Sequence, residues 1–577
     1  MKWQRVEKGI ITGCTPSVIL FALTMTMLVM SVRDETKGPK TVTGQSQVNT
    51  SLIMDDIATR TENLVQTKYL LEKLVGKLKW ARLSIKPEKS RSLVIIEGKV
   101  SKKTPSIDGV PVTSIAEKPI KYLGKVYNKT LNEQKQADEV LGELKEGLKK
   151  IDKSIIPGRY KAWIFQHMLL PRIMWPLTIY NIPESKVEEM QRKITGHLKK
   201  WLGFPRSLST ACLYTRSGKL QLPYTELSEE VKAAKARVYT TFEESDDPCV
   251  RGANLKVDGG RKADTPGSVK DAKLRLCMRE IVGIPNKGKE GLGLNPRKYY
   301  GSSTKEERRT MVVDTVREAE EDRRKVKMTS LAKQGAHTRW EVPEKKLSHR
   351  EIINTAETSL KFLVKSVYDL LPTPSNKNIW YGGEETCKLC GGNATLSHIL
   401  SGCKAALMRY KWRHDQVLRQ ITLGVEAKCR AHNIQVGRGE KKKIEFVKAG
   451  EKRASMHNSV PSSYLDGAND WKIMVDLGGI LKFPRQIADT NQRPDMLLMS
   501  ESTKRVGVIE LTVPGEERLE VSGELKKAKY APLQEQGKVN GWRVHVWTVE
   551  VGCKGFPAAS MASFLKDIGI GGGERNR

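Results

Sequence analysis

Residues 52–58 read Leu-Ile-Met-Asp-Asp-Ile-Ala, an apolar run that ends in two adjacent carboxylates, Asp55 and Asp56. A strand followed by a tight turn would project both side chains from one end of a sheet. Enzymes that transfer phosphoryl groups with two metal ions use such carboxylates to hold the ions about 3.5–4 Å apart. Most Asp-Asp pairs are nevertheless solvated turns, so the flanking segments must decide between the two interpretations.

The flanking segments favour the metal-binding interpretation. Upstream, residues 13–17 (Gly-Cys-Thr-Pro-Ser) open an apolar stretch that is typical of a buried helix. Downstream, residues 62–80 place apolar side chains on one side of an amphipathic helix. A basic segment that contains Lys89 and a strand-like stretch, residues 120–127, come next.

The N-terminal apolar stretch has a second interpretation. Residues 9–32 contain no charged side chain, and residues 18–30 are strongly apolar, so a signal anchor is conceivable. The breaks at residues 13–17 leave an apolar run of about 15 residues, whereas a membrane-spanning helix needs about 20. We therefore predict a buried core helix and no membrane partner, with a membrane anchor at residues 18–32 as the alternative.

In this order the segments resemble the reverse transcriptase palm of non-LTR (LINE-type) retrotransposons. The resemblance implies that Asp55 and Asp56 form the catalytic turn and bind Mg²⁺, and that residues 120–127 form the primer-grip hairpin. The residues that it implies for template and nucleotide binding are Gly13, Pro16, Ser17 and Lys89.

One part of the family pattern is missing. In the family, another metal-binding aspartate lies on an earlier strand, beyond a fingers subdomain, and nothing before Lys8 supplies either. We therefore expect residues 1–128 to be a partial palm in an N-terminally truncated chain. Polymerase activity by the 577 residues alone is therefore doubtful.

Composition indicates a polyanionic partner. The 577 residues include 100 Lys+Arg and 66 Asp+Glu, a net charge of +34, which repels itself unless nucleic acid or an anionic membrane neutralises it. The hydrophobic fraction of 38% excludes a disordered chain and a polytopic membrane protein. Nine cysteines, three of them between residues 387 and 403, indicate an intracellular chain with one local metal site.

The middle of the chain combines helical patterns with basic residues. Within residues 129–242, three amphipathic segments predict a helical bundle, which the resemblance identifies as the polymerase thumb. Residues 243–330 are basic and are interrupted by Gly, Pro and Ser. We interpret them as a linker that ends in a charged helix around residues 305–328.

A cysteine and histidine cluster gives the clearest local chemistry. Its four members have the spacing C-x2-C-x7-H-x4-C and are Cys387, Cys390, His398 and Cys403. Two cysteines in a tight turn and two ligands from a following short helix would surround a tetrahedral Zn²⁺ and leave no open position, so the zinc would be structural. The alternative is that reduced cysteines pack as small apolar side chains.

The surroundings of this cluster extend the resemblance. Together with segments 334–340 and 366–376, it is similar to the connector between polymerase and nuclease in retrotransposons that have a restriction-like nuclease. We therefore assign residues 331–425 to a connector with a zinc knuckle.

Residues 440–577 contain a second pair of candidate catalytic acids. Asp495 precedes one strand-like stretch, Glu510 lies in the next, and the polar residues 501–505 connect them. An antiparallel hairpin would bring the two carboxylates together at one end of a sheet, as a Mg²⁺ site that polarises a phosphodiester and activates water. This is the plan of PD-(D/E)xK nucleases, so we expect an α/β restriction-like endonuclease domain.

The nuclease lysine departs from the common pattern. Thr512 occupies the position two residues after the second acid, where a lysine is common. The resemblance implies that the lysine has moved to the following helix, with Lys526 as the first choice and Lys529 as the second. Asp476 either assists metal binding or caps a helix.

These predictions combine into one hypothesis. The expected fold is multidomain α+β, with a partial palm, a helical thumb, a zinc knuckle and an α/β nuclease domain. The resemblance implies target-primed reverse transcription, in which the nuclease nicks target DNA and the released 3′-hydroxyl primes copying of element RNA from deoxynucleoside triphosphates. The protein would be made in the cytoplasm and act in the nucleus.

Another class of function stays open. A catalytically inactive or domesticated nucleic-acid-binding protein would keep the charge and the zinc site without the chemistry. The sequence fixes neither the oligomeric state nor the target site.

Overall fold

The computed structural model describes residues 15–130, 133–253, 264–282, 284–285, 294–295, 300–437 and 463–571. Gly13 and the first part of the predicted nuclease domain, residues 440–462, lie outside the described residues.

Helices and short strands alternate along the chain. The α-helices are α1 (Thr15–Met30), α2 (Leu64–Trp80), α3 (Gln134–Lys153), α4 (Gly158–Ile164), α5 (Leu170–Ile179), α6 (Glu184–Leu202), α7 (Thr210–Tyr214), α8 (Leu227–Glu243), α9 (Pro248–Gly252), α10 (Thr265–Val282), α11 (Lys305–Thr329), α12 (His349–Asn354), α13 (Glu357–Val367), α14 (Pro374–Tyr381), α15 (Leu407–Gly437), α16 (Leu519–Val539) and α17 (Ala559–Asp567). The strands are β1 (Thr50–Ile53), β2 (Asp56–Thr59), β3 (Val94–Ile96), β4 (Lys99–Ser101), β5 (Ser106–Ile107), β6 (Val110–Pro111), β7 (Ile120–Tyr122), β8 (Lys125–Tyr127), β9 (Leu220–Gln221), β10 (Ile284–Pro285), β11 (Leu294–Asn295), β12 (Lys345–Lys346), β13 (Lys472–Val475), β14 (Met496–Ser500), β15 (Arg505–Thr512) and β16 (Arg543–Glu550).

The chain divides into two compact units. Unit 1 comprises Met1–Leu198 and Thr225–Glu320, and unit 2 comprises Lys199–Tyr224 and Glu321–Arg577. Residues 199–224 of the predicted thumb therefore belong to the same unit as the predicted connector and nuclease segments, whereas the rest of the predicted thumb belongs to unit 1. Tyr368 shows why, because its buried hydroxyl donates to the carbonyl oxygens of Cys212 and Leu220.

Helices α1 and α2 of unit 1 pack against the β1–β2 hairpin. Leu52 and Ile57 of the hairpin contact an apolar cluster contributed by the two helices and by Val32, two residues after α1. That cluster consists of Met25, Leu28, Val32, Leu70, Leu74 and Leu78. Helix α1 is buried on one side only, since Ile19 is 63% exposed and Met27 is 67% exposed.

The stretch with two interpretations, a core helix or a membrane anchor, is helix α1. It contains 16 residues. Within the described part of the chain, no helix is both long enough and apolar enough to cross a membrane.

The three helices expected in residues 129–242 are present as α3, the α4–α5 segment and α6. The second passes Pro171 and continues to Ile179 through a π-helical turn, Phe165–Leu169. A proline lacks an N–H group and its ring clashes with the carbonyl four residues earlier, so the wider turn lets the chain stay helical.

Part of the predicted basic linker is a packed helix. Helix α10 lies within that segment, and its Val269 and Ala272 pack against Val312 and Val316 of α11 and Ala236 of α8. These apolar side chains are sparse among charged neighbours, so composition alone does not reveal the helix. The charged helix expected around residues 305–328 is α11.

A four-stranded sheet forms the centre of the C-terminal part of unit 2. Its order is β13-β14-β15-β16, antiparallel except for the parallel pair β15 and β16. Helix α16 connects these parallel strands, and separate apolar clusters involving α15 and α16 cover the sheet. Every residue of β14 is buried, as expected for a strand covered on both faces.

Candidate active sites and zinc centre

The two N-terminal acids lie at an exposed hairpin turn. Strands β1 and β2 pair in antiparallel fashion, and Ile53 is opposite Asp56, so Met54 and Asp55 form a two-residue turn. Met54 has a φ of 56°, in the left-handed region that few non-glycine residues adopt. Asp55 and Asp56 are exposed, and neither carboxylate has a hydrogen bond or ion pair with another described residue.

The other predicted palm residues lie in separate local structures. Pro16 and Ser17 are in the first turn of α1. Lys89 lies in an exposed turn in which its N–H donates to the carbonyl of Lys86 at 3.1 Å. The backbone therefore presents Lys89 to solvent, and its ammonium is available for a ligand.

The strand-like stretch 120–127 is a hairpin, β7–β8, with Leu123 and Gly124 at the turn. A Cβ added to Gly124 would lie 2.3 Å from Nε1 of Trp175, so only glycine permits this approach. The hydroxyl of Tyr180 accepts the N–H of Val126 at 2.7 Å. Helix α5 and the residue after it therefore fix the hairpin.

The C-terminal acids face each other across two strands. In the β14–β15 pair Met496 is opposite Ile509, and one further step in this register places Asp495 opposite Glu510. Such cross-strand neighbours have Cβ atoms about 4.5–5.5 Å apart. The Oδ2 atom of Asp495 also accepts the N–H of Leu511 at 2.7 Å, which fixes the carboxylate at the strand end. The predicted hairpin is confirmed.

Glu510 is buried and has three partners on helix α16. Its side chain is 4% exposed, and Oε1 accepts a hydrogen bond from the ammonium of Lys526. Lys529 Nζ lies 3.6 Å from the same oxygen, and the hydroxyl of Tyr530 donates to Oε2 at 2.7 Å. Burial and the adjacent Glu510 raise the pKa of Tyr530 well above its ordinary value, so the phenol stays protonated. The structure thus brings both candidate lysines to Glu510.

His414 is a member of this site that the sequence did not reveal. It lies on α15, and its Nε2 atom is 3.4 Å from Oδ2 of Asp495 and 3.2 Å from the carbonyl oxygen of Leu511. Burial lowers the pKa of His414, but the hydrogen bonds and charges of Asp495 and Asp415 outweigh it and raise the pKa to about 9. The imidazole is therefore protonated at neutral pH.

Asp476 has a local role in the structure. Its Oδ1 atom accepts the N–H groups of Ile480 and Leu481, at 2.8 and 3.2 Å. Its own N–H donates to the carbonyl of Asp495 at 2.9 Å. Asp476 thus caps a loop, and the alternative that it caps a helix is wrong, because the described segment between β13 and β14 contains no helix.

The four cysteine and histidine ligands converge. Their ligand atoms all lie within 4.8 Å of one another. Sγ of Cys387 is 3.9 Å from Sγ of Cys403, and Sγ of Cys390 is 3.2 Å from Nε2 of His398. With Zn–S bonds of about 2.3 Å, the sulfur atoms of a tetrahedral site lie about 3.8 Å apart. This donor set and spacing fit Zn²⁺.

Local backbone geometry supports the cluster. Gly391 has a φ of 73°, and its N–H donates to the carbonyl of Cys387 at 2.8 Å, which closes the turn. Backbone N–H groups of Leu389 and Cys390 together with His398 lower the pKa of the Cys387 thiol to about 6, so a thiolate forms readily. Only the thiolate is a good metal ligand.

Comparison with known proteins assigns the N-terminal region. Residues 2–127 match the family described as reverse transcriptase (RNA-dependent DNA polymerase). A reverse transcriptase domain occupies this region. The match ends at the last residue of β8, so it includes the acidic turn and the β7–β8 hairpin. Domains of this family use Mg²⁺, a nucleic-acid template and deoxynucleoside triphosphates. A search of the curated proteins found no match.

Proposed function

We propose that this chain is the polymerase and nuclease portion of a non-LTR retrotransposon protein, and that it acts in target-primed reverse transcription. The reverse transcriptase domain supplies the first half of the proposal. The observation that carries the second half is the opposition of Asp495 and Glu510 on neighbouring strands, with Lys526 bound to Glu510. Both proposed active sites would make or break phosphodiester bonds of nucleic acid. Binding this polyanion to both sites would account for the basic charge of the chain.

The nicking step assigns separate tasks to the nuclease residues. Asp495 and Glu510 offer hard carboxylate oxygens, which fit Mg²⁺. When bound, Mg²⁺ polarises the phosphodiester and makes an attacking water more acidic. Tyr530 holds Oε2 of Glu510 in place. Lys526 and Lys529 are 32% and 43% exposed, so either ammonium can turn from Glu510 to a DNA phosphate.

The polymerase step would use the N-terminal site. Asp55 and Asp56 are exposed at the turn, so their carboxylate oxygens are accessible to Mg²⁺. Pro16, Ser17 and Lys89, together with Gly13, are the proposed template and nucleotide contacts. The nicked target strand would provide the primer 3′-hydroxyl, and element RNA the template. The place of action would be the nucleus, where target DNA lies.

The zinc site would be structural in this proposal. Cys387, Cys390, His398 and Cys403 provide all four positions of a tetrahedral ion, so no position is open for a substrate or a water. The zinc ion would stabilise the fold of the surrounding loop and would not take part in the chemical steps.

A nicking assay tests the proposal. The full chain is incubated with supercoiled plasmid and Mg²⁺, and conversion to the open circular form is followed for wild type and Asp495→Ala. We expect nicking by wild type that EDTA stops and that Asp495→Ala lacks. If both proteins leave the plasmid supercoiled while both still bind DNA, the inactive nucleic-acid-binding alternative replaces the nuclease.

A further inference from the structure

Helix α15 connects the zinc site to the nuclease sheet within unit 2. Its N-terminal turns contact the zinc-ligand loop, residues 387–403. Farther along, Leu418, Ile421 and Val425 lie in the same apolar cluster as residues of β14, β15 and β16. A single rigid element therefore touches both sites.

Tyr410 attaches the helix to two of the zinc ligands. Its hydroxyl accepts the N–H of Cys403 at 3.0 Å and lies 3.1 Å from the carbonyl oxygen of His398. The guanidinium of Arg413 lies over the Tyr410 ring and donates to the carbonyl of Leu400 at 2.7 Å. Tyr410 can make these bonds only while the ligand loop keeps its shape.

His414 lies one helical turn beyond Tyr410 and reaches the nuclease carboxylate. Residues four apart on a helix share one side, so both side chains project from the same part of α15. Nε2 of His414 is 3.4 Å from Oδ2 of Asp495, the oxygen that also accepts the N–H of Leu511. Its Nδ1 atom is 3.2 Å from Asp415, which fixes the imidazole from the other side.

We propose that Tyr410 and His414 are positioning residues through which zinc binding orients Asp495. Zinc shapes the ligand loop, the loop holds Tyr410, and α15 then presents His414 to the carboxylate. The zinc site would thus control cleavage without contacting DNA or the reacting atoms. This inference rests on the proposed nuclease function.

Hydrogen exchange tests the coupling without any need for activity. In the full chain we would follow exchange of the Leu511 amide by mass spectrometry, together with zinc content and thermal unfolding. Tyr410→Phe and His414→Ala should each keep one zinc per chain and a single cooperative unfolding transition, yet exchange Leu511 about 10-fold faster, at the low end of the losses typical when such orienting groups are removed. Because the two residues act in series, the double variant should exchange no faster than His414→Ala.

Nicking provides the second readout. Loss of groups that orient a metal ligand typically lowers activity about 10–100-fold, so we expect His414→Ala to nick at least about 10-fold more slowly. His414→Gln should recover most of this loss, since its amide can donate to Asp495. Glu426→Ala is the matched control on α15, because Glu426 pairs only with Arg430 among the contacts described and lies away from both sites.

The outcomes separate the two proposals. Unchanged exchange of Leu511 in His414→Ala, or additive effects in the double variant, would overturn the coupling whether or not the chain nicks DNA. Faster exchange combined with a wild type that nicks no better than Asp495→Ala would support the coupling and reject the nuclease.

Discussion

The β1–β2 and β14–β15 hairpins each present two carboxylates, but they support them differently. Asp55 and Asp56 are exposed at a two-residue turn and have no described partner for their carboxylates. Glu510 is almost fully buried and binds Lys526 and Tyr530, while Asp495 accepts the N–H of Leu511. The Asp55 and Asp56 carboxylates would be fixed only by bound metal or substrate, whereas hydrogen bonds within the protein already position Asp495 and Glu510.

Because of this difference, substitutions at the two hairpins should have different effects on catalytic activity and on folding stability. A buried carboxylate with hydrogen-bond partners contributes to folding, so its removal should change both properties. An exposed carboxylate without partners contributes only to ligand binding. Substitutions at the two hairpins can therefore be compared directly.

The largest expected effect is on nicking by Glu510→Gln. The amide keeps the shape of the side chain but loses the charge that would bind Mg²⁺ in the proposed site. A loss of several kcal/mol in metal stabilisation corresponds to about 100-fold or more in rate. Single-turnover conversion of supercoiled plasmid measures this. Asp55→Asn should nick within about twofold of wild type, a difference of less than about 0.5 kcal/mol in the barrier, because Asp55 is not part of the proposed nuclease site. A similar loss of nicking in both variants would mean that the two hairpins do not act separately.

Tyr530→Phe should have a smaller effect. It removes only the hydroxyl that holds Oε2 of Glu510, and loss of such a group typically costs about 10-fold or more in activity. The same nicking assay measures it. Tyr464→Phe is the matched control, because the Tyr464 hydroxyl is buried without a hydrogen-bond partner among the described residues. Equal rates for the two variants would show that the Tyr530 hydrogen bond does not position Glu510.

The next smaller effect is on the free energy of unfolding, which should differ between substitutions at the two hairpins. Glu510→Ala removes the acceptor of Lys526 and one of the acceptors of the Tyr530 hydroxyl, which keeps the carbonyl of Arg493. The free energy of unfolding should therefore fall by about 1–3 kcal/mol. Asp55→Ala should change it by no more than about 0.5 kcal/mol, as expected at an exposed site. Urea denaturation followed by tryptophan fluorescence measures both. A loss at Asp55 as large as that at Glu510 would contradict the description of the first turn as unsupported.

The smallest expected effect is a pH dependence at the β14–β15 turn. Burial raises the pKa of Asp470, but hydrogen bonds from Ser500 and Ser502 outweigh it and hold the pKa well below the ordinary value. The stabilisation is therefore fully present above pH about 4 and is lost as the pH falls below that value.

Asp470→Asn tests this pH dependence. The variant should be less stable than wild type by about 1 kcal/mol at pH 6, and the difference should shrink at pH 3. Urea denaturation at the two pH values measures it. A constant difference would show that ionisation of Asp470 does not support the turn.

Local patterns in the sequence predicted the features that depend on nearby residues. The spacing of Cys387, Cys390, His398 and Cys403 indicated their convergence, because all four lie within one short loop. The polar connection 501–505 between two apolar stretches indicated the hairpin that brings Asp495 opposite Glu510.

Features that depend on distant residues were missed. His414 lies 81 positions before Asp495, and only the packing of α15 on the sheet brings them together. Helix α10 was interpreted as linker because its few apolar residues pack on α8 and α11, which local composition does not show. The π-helical turn before Pro171 likewise depends on helix geometry that no residue pattern specified.

The most direct test of the account measures nicking and primer extension on the same protein preparations. Wild type, Asp495→Ala and Asp55→Ala are each given supercoiled DNA with Mg²⁺, and separately a primed RNA template with deoxynucleoside triphosphates. We predict that wild type nicks the DNA, that Asp495→Ala loses nicking, and that Asp55→Ala nicks at the wild-type rate and lacks whatever primer extension wild type shows. Nicking by Asp495→Ala at the wild-type rate would show that the C-terminal carboxylates do not form a nuclease site.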